Sequence, residues 1–255
     1  MFHATLDSTK TWKQIVDAIA TLLTEANFKV NASGIVLRQM DSSKVAMIDL
    51  NLPKKIFQEY ECKGEHDLCL GIDELVKVSK RMSGDERLEF NLEESDNRLE
   101  IKMIGRAERM FKLQRLTPLG EPPKEPKVPW EVKAEMDADA FKQAIKDIAV
   151  VGNNVTITSD KKAVSFSGQG DTGEARVNLS TEGDPQIVFN IELKGDSKSH
   201  PSTMYALSYL SEMSKAIASD TIALHYATEK PMMLDFQIAE HGQIRLLLAP
   251  RKERR

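Results

Sequence analysis

Cysteine is scarce in this chain of 255 residues, which contains only Cys62 and Cys69. With His66 they form a C-x3-H-x2-C cluster, but a closed zinc site needs four ligands and no fourth Cys or His lies nearby in the sequence. We therefore interpret both as reduced cysteines in or beside a strand. We expect no metal site and no cofactor.

Long apolar runs are also missing, since none approaches the roughly 20 residues that a membrane-spanning helix needs. The N-terminus alternates between apolar and polar residues and has no basic stretch followed by an apolar core, so it is interpreted as a strand and not as a signal peptide. We expect an intracellular protein without a membrane partner.

Neither sign of charge dominates, because 35 Lys and Arg stand against 39 Asp and Glu, for a net charge of −4. Taken alone, this acidic balance argues against a nucleic-acid-binding protein. The distribution of charge matters more than its sum, however, because a field depends on which face carries the cations.

Motifs for catalysis are lacking as well: there is no H-E-x-x-H, no nucleophile elbow and no phosphate-binding loop. The stretch from Gly168 to Gly173 matches G-x-G-x-x-G, but an alternating, strand-like segment follows it instead of the helix that dinucleotide binding requires. We interpret it as a glycine-rich connection between antiparallel strands, and we expect no enzymatic activity.

An internal repeat is the most informative feature that the chain does have. Trp12-Lys13-Gln14 is echoed by Phe141-Lys142-Gln143, and Leu75-x-Lys77-x-x-Lys80 is echoed by Leu210-x-Glu212-x-x-Lys215. A pair of alternating strands follows the second helix of each half. Such duplication predicts two similar domains whose helices carry cations at equivalent places, and it favours a repeated surface facing an anion over a single catalytic cleft.

A proline-rich stretch separates the two repeats and holds half of the ten prolines. Proline lacks an N–H group and fixes φ, so this stretch is predicted to be an extended connector. We therefore predict an N-terminal domain over residues 1–117, a connector over 118–129 and a C-terminal domain over 130–255.

Hydrophobic periodicity predicts strand, helix, strands, helix and strands in each half. The predicted helices span residues 9–23, 73–82, 138–150 and 203–218, with a capping box at Thr11 and Gln14 and with Asp137 or Asp139 capping the third. Predicted strands in the first half span residues 28–30, 34–39 and 45–52. The fold class is α+β, with antiparallel sheets and helices on one face.

The helical cations are candidates for binding an anion. Lys77, Lys80 and Arg81 are spaced i, i+3, i+4, and Lys215 stands at the position equivalent to Lys80. A solvated face explains any single helix, but the repetition favours a surface that contacts phosphates without reading sequence. No aromatic residues interleave these cations, which makes single-stranded nucleic acid the less attractive ligand.

Two separated motifs carry a resemblance to a known family. The first is Ser33-Gly34-Ile35-Val36-Leu37-Arg38-Gln39-Met40-Asp41-Ser42-Ser43-Lys44-Val45, and the second is the ending Leu248-Ala249-Pro250-Arg251-Lys252-Glu253. They are similar to the S-G-x-x-L-x-x-M-D-x-S-x-V stretch and the L-A-P-[KR] ending of the sliding clamps of the proliferating cell nuclear antigen family, which the chain resembles. Because the tail stops soon after Leu-Ala-Pro, the chain is most similar to the archaeal members.

The resemblance implies a closed ring of three subunits that encircles duplex DNA, with helices lining the hole. It implies a processivity factor without catalysis, loaded by an ATP-dependent clamp loader, that tethers polymerase, flap nuclease and ligase. Localisation would be cytoplasmic and nucleoid-associated in an archaeon, or nuclear in a eukaryote. The residues expected to face the hole are Lys13, Lys77, Lys80, Lys142, Lys146 and Lys215, with Arg81 as a more local assignment.

The resemblance also implies a pocket in which partners insert a short glutamine-and-aromatic motif. Its expected lining residues are Met40, Lys44, Val45, Met47, Leu119, Pro231, Leu247, Ala249 and Pro250. The alternative interpretation of the apolar members is that they belong to the ordinary core.

Subunit contacts are predicted at two strand-like stretches of opposite charge. Residues 106–115 carry four cations and one acid, whereas residues 171–184 carry four acids and one cation. We predict a head-to-tail contact between them. Its residues would be Arg109, Phe111, Lys112 and Leu113 on one side and Glu174, Val177 and Leu179 on the other. Alternatively, the charges only protect edge strands from aggregation.

Two rival functions stay open at this point. The chain is either a homotrimeric clamp or one subunit of a heterotrimeric clamp, since a single sequence says nothing of paralogous partners. A small hydrolase built from the scattered Asp, His and Cys residues is the alternative from another class.

Overall fold

The computed structural model describes residues 1–93, 96–171, 173–194 and 200–252. Within these residues, each half of the chain contains one strand, a helix, five strands, a second helix and three strands. The elements of the first half are β1 (Phe2–Leu6), α1 (Thr9–Ala20), β2 (Glu25–Asn31), β3 (Gly34–Met40), β4 (Ala46–Pro53), β5 (Glu59–Cys62), β6 (His66–Gly71), α2 (Ile72–Ser79), β7 (Arg87–Leu92), β8 (Arg98–Ile104) and β9 (Glu108–Gln114).

The second half repeats that order. Its elements are β10 (Val132–Asp137), α3 (Ala138–Ile148), β11 (Asn154–Ser159), β12 (Ala163–Gly170), β13 (Gly173–Ser180), β14 (Val188–Leu193), β15 (Ser202–Ala206), α4 (Leu207–Lys215), β16 (Thr221–Tyr226), β17 (Met232–Ile238) and β18 (Gly242–Leu248). Only a short 3-10 turn, Lys54–Ile56, has no counterpart among the described residues. The predicted α+β class with antiparallel sheets is confirmed.

The helix ends show where local signals were misinterpreted. Ser8, and not Thr11, caps α1: its extended backbone precedes the helix and its hydroxyl accepts from the Lys10 N–H at 3.1 Å. The predicted capping box was therefore wrong, because Thr11 already lies in the first turn. Asp137 caps α3, as expected, by accepting from the Ala140 N–H at 2.7 Å.

All four helices are shorter than the periodicity predicts, and α2 and α4 show the local reasons. α2 ends at Ser79, so Lys80 is its C-cap and Arg81 lies in a tighter turn whose N–H donates to the Val78 carbonyl. The predicted start of the fourth helix at Thr203 was wrong. Residues 202–206 form β15, which pairs with β11, because Thr203 and Tyr205 alternate inward as a strand requires.

The chain divides into two compact units. Met1–Pro123 with Gln237–Ile244 forms unit 1, and Lys124–Phe236 with Arg245–Arg255 forms unit 2. The division between Pro123 and Lys124 falls inside the stretch that we predict to be a connector. Residues 117–130 contain no helix or strand, as a segment with this proline content requires.

Unit 1 contains a five-stranded antiparallel sheet in the order β5-β1-β7-β8-β9. Leu88 and Phe90 of β7 alternate inward with Leu99 and Ile101 of β8, and all four are buried. Helix α1 packs on this layer through Trp12, whose ring lies 4.6 Å from that of Phe90 between centroids. Strands β4-β3-β2-β6 are neighbours in that order within the same unit.

Unit 2 repeats this packing. Its four-stranded antiparallel sheet has the order β13-β12-β11-β15, and β14-β10-β16-β17 are neighbours in a second sheet. Helix α3 packs through Phe141, whose ring centroid lies 5.9 Å from that of Phe166 on β12. The aromatic residue that begins each repeated helix motif therefore anchors that helix on its sheet.

The glycine-rich stretch joins β12 to β13, as predicted. A side chain on Gly170 would meet the Val151 carbonyl oxygen at 1.9 Å, and one on Gly168 would meet the Ile148 side chain at 2.5 Å. These glycines therefore allow the end of α3 to approach the hairpin closely. Thr172 of this motif, like Glu253 of the C-terminal one, lies outside the described residues.

The two cysteines sit in strands, Cys62 at the end of β5 and Cys69 in β6, in agreement with their interpretation. Among the described residues, no helix is both long and apolar enough to cross a membrane.

Candidate functional site

The predicted anion-binding cations lie on the solvent sides of the four helices. In α2, Leu75 and Val78 are buried whereas Lys77 and the following Lys80 are exposed. In α3, Phe141, Ala144 and Ile145 are buried, and Lys142 and Lys146 share the opposite face. Lys215 ends α4 and is exposed, and Lys13 of α1 is half-buried. The side chains are thus available to a ligand on the helical side of each unit.

The helices also carry carboxylates. Their lysines, counted with the C-cap residue Lys80, are Lys10, Lys13, Lys77, Lys80, Lys142, Lys146 and Lys215, whereas their acids are Asp17, Asp73, Glu74, Asp139, Asp147 and Glu212. The helices alone are therefore nearly neutral. Whether part of the helical surface is cationic therefore depends on which lysines already form ion pairs with these carboxylates.

Ion pairing divides the lysines into two groups. Lys142 lies 3.1 Å from Asp139, and Lys215 lies 2.6 Å from Glu212. Lys77, Lys80 and Arg81 make no ion pair within the described parts of the chain, and neither does Lys146. The segment at the end of α2 is therefore the strongest concentration of uncompensated positive charge on the helices.

The segment after α2 is held by the start of α1. The Ser8 hydroxyl donates to the Gly84 carbonyl at 3.2 Å, and the Lys13 ammonium donates to the Met82 carbonyl at 3.5 Å. The Thr9 N–H donates to the Glu86 carbonyl at 3.2 Å. Lys13 is therefore engaged by the backbone that carries Lys80 and Arg81.

The predicted pocket residues belong to both units. Met40, Lys44, Val45, Met47 and Leu119 lie in unit 1, whereas Pro231, Leu247, Ala249 and Pro250 lie in unit 2. Met47 and Leu247 are buried, Leu119 is 51% exposed, and Lys44 is exposed. The convergence of all nine into one pocket stays a prediction.

The turn between β3 and β4 fixes two of these pocket residues, Lys44 and Val45. The buried Asp41 carboxylate accepts from the backbone N–H groups of Val45 and Ala46, both at 2.8 Å, and from that of Ser43 at 3.2 Å. This arrangement holds Lys44 at a φ of 57°, a left-handed conformation that is uncommon outside glycine. Asp41 therefore determines the conformation of the loop that presents Lys44 and Val45.

Asp41→Ala is expected to destabilise unit 1, because it leaves buried N–H groups without their acceptor. The cost should be about 1–3 kcal/mol in the free energy of unfolding. Asp41→Asn is the matched control: one amide oxygen still accepts from Val45 and Ala46, so about half of that loss is expected. Urea denaturation measures both, and equal stability of Asp41→Ala and the wild type would contradict this role.

The two oppositely charged stretches both form edge strands. Among the described strands, β9 pairs only with β8, and β13 pairs only with β12. Unpaired N–H and C=O groups along an edge are a template for another strand. β9 in unit 1 and β13 in unit 2 are thus, among the edge strands of the described structure, the two that belong to the oppositely charged stretches.

The apolar residues of both edges lie on the core side of their sheets. Phe111 and Leu113 are opposite the buried Ile101 and Leu99 in the β8–β9 register. Val177 and Leu179 are likewise opposite the buried Phe166 and Val164 in the β12–β13 register. Joining the two edges would therefore continue one apolar layer beneath a single sheet.

The cations of β9 are already partly engaged within the chain. Lys112 lies 3.3 Å from Glu100 and 3.6 Å from Asp96, and Arg109 pairs with the buried Glu86. Glu174 of β13 is exposed and makes no ion pair in the described structure. Lys112 and Glu174 both point away from the core side, so they are the charges that could meet across a joined sheet.

No cluster of three or more His, Cys, Asp or Glu residues suited to hold a metal occurs in residues 1–93, 96–171, 173–194 and 200–252. Several histidines have structural partners instead: the imidazole of His3 lies 2.7 Å from the Asn91 side-chain oxygen, and that of His66 lies 2.9 Å from the Lys63 carbonyl. A metal-dependent hydrolase therefore has no candidate site among these described residues.

Comparison with known proteins agrees with this architecture. The sequence profile of "Proliferating cell nuclear antigen, N-terminal domain" matches residues 1–114, and that of the C-terminal domain matches residues 125–251. The chain belongs to the proliferating cell nuclear antigen family. The resemblance stated from the sequence is thereby confirmed.

Individual members of the family match over nearly the whole chain. The "DNA polymerase sliding clamp" of Pyrococcus abyssi is 34% identical over 99% of both chains, and that of Thermofilum pendens is 33% identical over 95% of this chain and 96% of the relative. The crystal structure of PCNA from Thermococcus kodakaraensis has a TM-score of 0.92 at 25% identity, covering 98% of this chain and 100% of that one.

Two residues of this PCNA-family chain were not assigned a role from the sequence. Asp41 lies within the motif that carries the resemblance, and an Asp that begins a Ser-rich turn is a recognisable Asx-turn signal. Glu86 has no such signal, because its partner Arg109 is distant in the sequence and reaches it only through the β8–β9 turn.

Proposed function

We propose that this protein is a DNA sliding clamp: a homotrimeric ring that encircles duplex DNA and holds replication enzymes on it. It is a processivity factor and not an enzyme. The observation that carries the proposal is the presence of both PCNA domains, in order, in a chain whose oppositely charged stretches both form edge strands.

Oppositely charged edges support ring closure. β9 carries two cations and one acid, and the stretch 171–184 that contains β13 carries four acids and one cation, so a head-to-tail contact would pair unlike edges and repeat until the ring closes. Since each subunit supplies two similar units, three subunits give six repeats of the helical surface around the hole.

The mass in solution tests the trimer. A chain of 28.6 kDa predicts about 86 kDa for three subunits by light scattering, with one symmetric species. A protein that stays at the mass of one chain up to high micromolar concentration would contradict a homotrimer, as would a trimer that forms only with a second, different chain.

The helical cations are proposed to face the DNA. Their interaction with phosphates would be weak, independent of sequence and steeply dependent on salt. Lys77, Lys80 and Arg81 should dominate it, since they are unpaired, whereas Lys142 and Lys215 first have to leave Asp139 and Glu212.

Replacing Lys77, Lys80 and Arg81 together by Ala is expected to weaken DNA association without unfolding the protein, because exposed charges contribute little to stability. Each phosphate contact that is lost should lower the slope of log K against log salt by about 0.9. The matched control removes three exposed lysines outside α1, α2, α3 and α4, namely Lys54, Lys55 and Lys63. If both triple variants bound and stimulated polymerase equally, the assignment of α2 to the hole would be wrong.

Partners are proposed to bind by short peptide motifs at the pocket predicted around Met40 and Leu119. They would include DNA polymerase, flap nuclease, ligase and an ATP-dependent clamp loader. Since the relatives named above come from archaea, the protein is proposed to act in the cytoplasm, on nucleoid DNA.

A further inference from the structure

Glu86 is a buried carboxylate that the fold has placed beside an edge strand. It lies just before β7, and its side chain is 9% exposed. Gly105, in the turn between β8 and β9, leaves room for it, because a side chain there would come within 2.9 Å of the Glu86 Cγ. A buried charge is costly unless it is paired and hydrogen-bonded, so its partners indicate what it is for.

Both oxygens of Glu86 are engaged. One accepts from the Ser83 backbone N–H at 2.9 Å, and the other accepts from a terminal nitrogen of Arg109. These hydrogen bonds, the Ser83 N–H first, hold the pKa of Glu86 below its ordinary value. The carboxylate is therefore charged wherever the protein is folded near neutral pH.

Arg109 is held at two points by this arrangement. Its second terminal nitrogen donates to the Arg81 backbone carbonyl at 2.9 Å, while the first binds Glu86. The guanidinium has five N–H donors in a rigid fork, so three stay available. The Arg109 side chain is 37% exposed on the edge strand β9, so part of it can be reached by a neighbouring molecule.

We propose that Glu86 is a positioning residue for ring closure: it holds the Arg109 guanidinium in one orientation on the β9 edge, ready for an adjoining copy of this chain. This inference rests on the proposed function. An arginine that is free to rotate loses conformational entropy on association, and this loss costs binding free energy. Fixing the side chain beforehand removes that cost. Glu86 thereby strengthens the subunit contact without touching the partner.

The test measures the concentration at which the trimer dissociates, by mass photometry and sedimentation, for Glu86→Gln and Arg109→Lys. Ser83 and Arg109 donate to different oxygens of Glu86, and a glutamine replaces one of these oxygens by an NH2 donor, so it cannot keep both bonds. A lysine keeps the charge but cannot bind Glu86 and the Arg81 carbonyl as a fork. Each variant is expected to raise the dissociation midpoint about three- to tenfold.

The double variant separates positioning from a general loss of stability. If Glu86 acts through Arg109, adding Glu86→Gln to Arg109→Lys should raise the midpoint little further. Glu89→Gln is the matched control, because it removes the partner of Arg87 on β7, two strands away from the edge, and should leave the midpoint unchanged.

Three results would overturn the inference: a wild-type midpoint for Glu86→Gln, a wild-type midpoint for Arg109→Lys, or fully multiplicative effects in the double variant. If Glu86→Gln does not fold, Arg109→Lys alone decides the question. Arg109 is partly exposed, so replacing it by lysine should leave the fold intact. A wild-type protein that is monomeric at every concentration would instead overturn the proposed function.

Discussion

Phe111→Asp is expected to convert the trimer into monomers of 28.6 kDa at micromolar concentration. Phe111 is half-buried on the core side of the open β9 edge, where the proposed neighbour supplies Val177 and Leu179. Losing the burial of such a side chain costs about 1.5–3 kcal/mol. The new carboxylate would also lose its hydration on association. Each contact should therefore weaken on the order of a hundredfold or more.

The chain offers a close control for this variant. Phe189 is 44% exposed on another edge strand, β14, and Phe189→Asp introduces the same charge at a site outside the proposed contact. It should stay trimeric. A complementary test exchanges charges on the outer side of the sheets: Lys112→Glu should weaken the trimer, and Glu174→Lys in the same chain should partly restore it. A trimeric Phe111→Asp protein would contradict the edge-to-edge contact.

Met40→Asp is expected to abolish binding of a partner peptide while the ring stays intact. Met40 ends β3 opposite Met47 and is half-buried beside the turn that Asp41 fixes. An apolar anchor seated against it is worth about 1.5–3 kcal/mol, and a carboxylate in its place faces an apolar ligand without a partner. Calorimetry with a synthetic glutamine-and-aromatic peptide should show a loss of affinity on the order of a hundredfold or more.

Val36→Asp is the matched control for the pocket. Val36 lies on the same face of the same strand and is 38% exposed, so it receives the same charge at a position outside the predicted pocket. Its peptide affinity should equal that of the wild type. If Met40→Asp also bound the peptide normally, the pocket would have to be placed elsewhere.

The sequence predicted the elements whose signal is local. Trp12 and Phe141 lie on apolar faces with helical spacing, and the helices that contain them begin at the predicted residues Thr9 and Ala138. Ser8 is the cap of α1 although Thr11 and Gln14 have the spacing of a capping box, because the helix begins two residues before Thr11. Thr203 was assigned to a helix because its alternation with Tyr205 is too short to distinguish from the helix that follows, whereas pairing with β11 makes it a strand.

Contacts between residues that are distant in the sequence could not be predicted from the sequence. The opposite charges of residues 106–115 and 171–184 were visible, but only the sheet order reveals that β9 and β13, which lie in these stretches, are both edge strands. The ion pairs that engage Lys142 and Lys215 depend on side-chain rotamers, and they divide the predicted cations into paired and unpaired groups. The link from Glu86 to Arg109 requires the β8–β9 turn to bring them together.

The central claim, that a closed ring encircles the DNA, is tested most directly by comparing retention of the protein on circular and on linear DNA. Protein loaded onto nicked circular plasmid, washed at high salt and then treated with a restriction enzyme should stay bound to the circle and leave once the DNA is linear. Salt removes electrostatic binding but does not open a closed ring. Retention on the circle with release on cutting is the predicted result. Equal loss from circular and linear DNA at high salt would contradict encirclement.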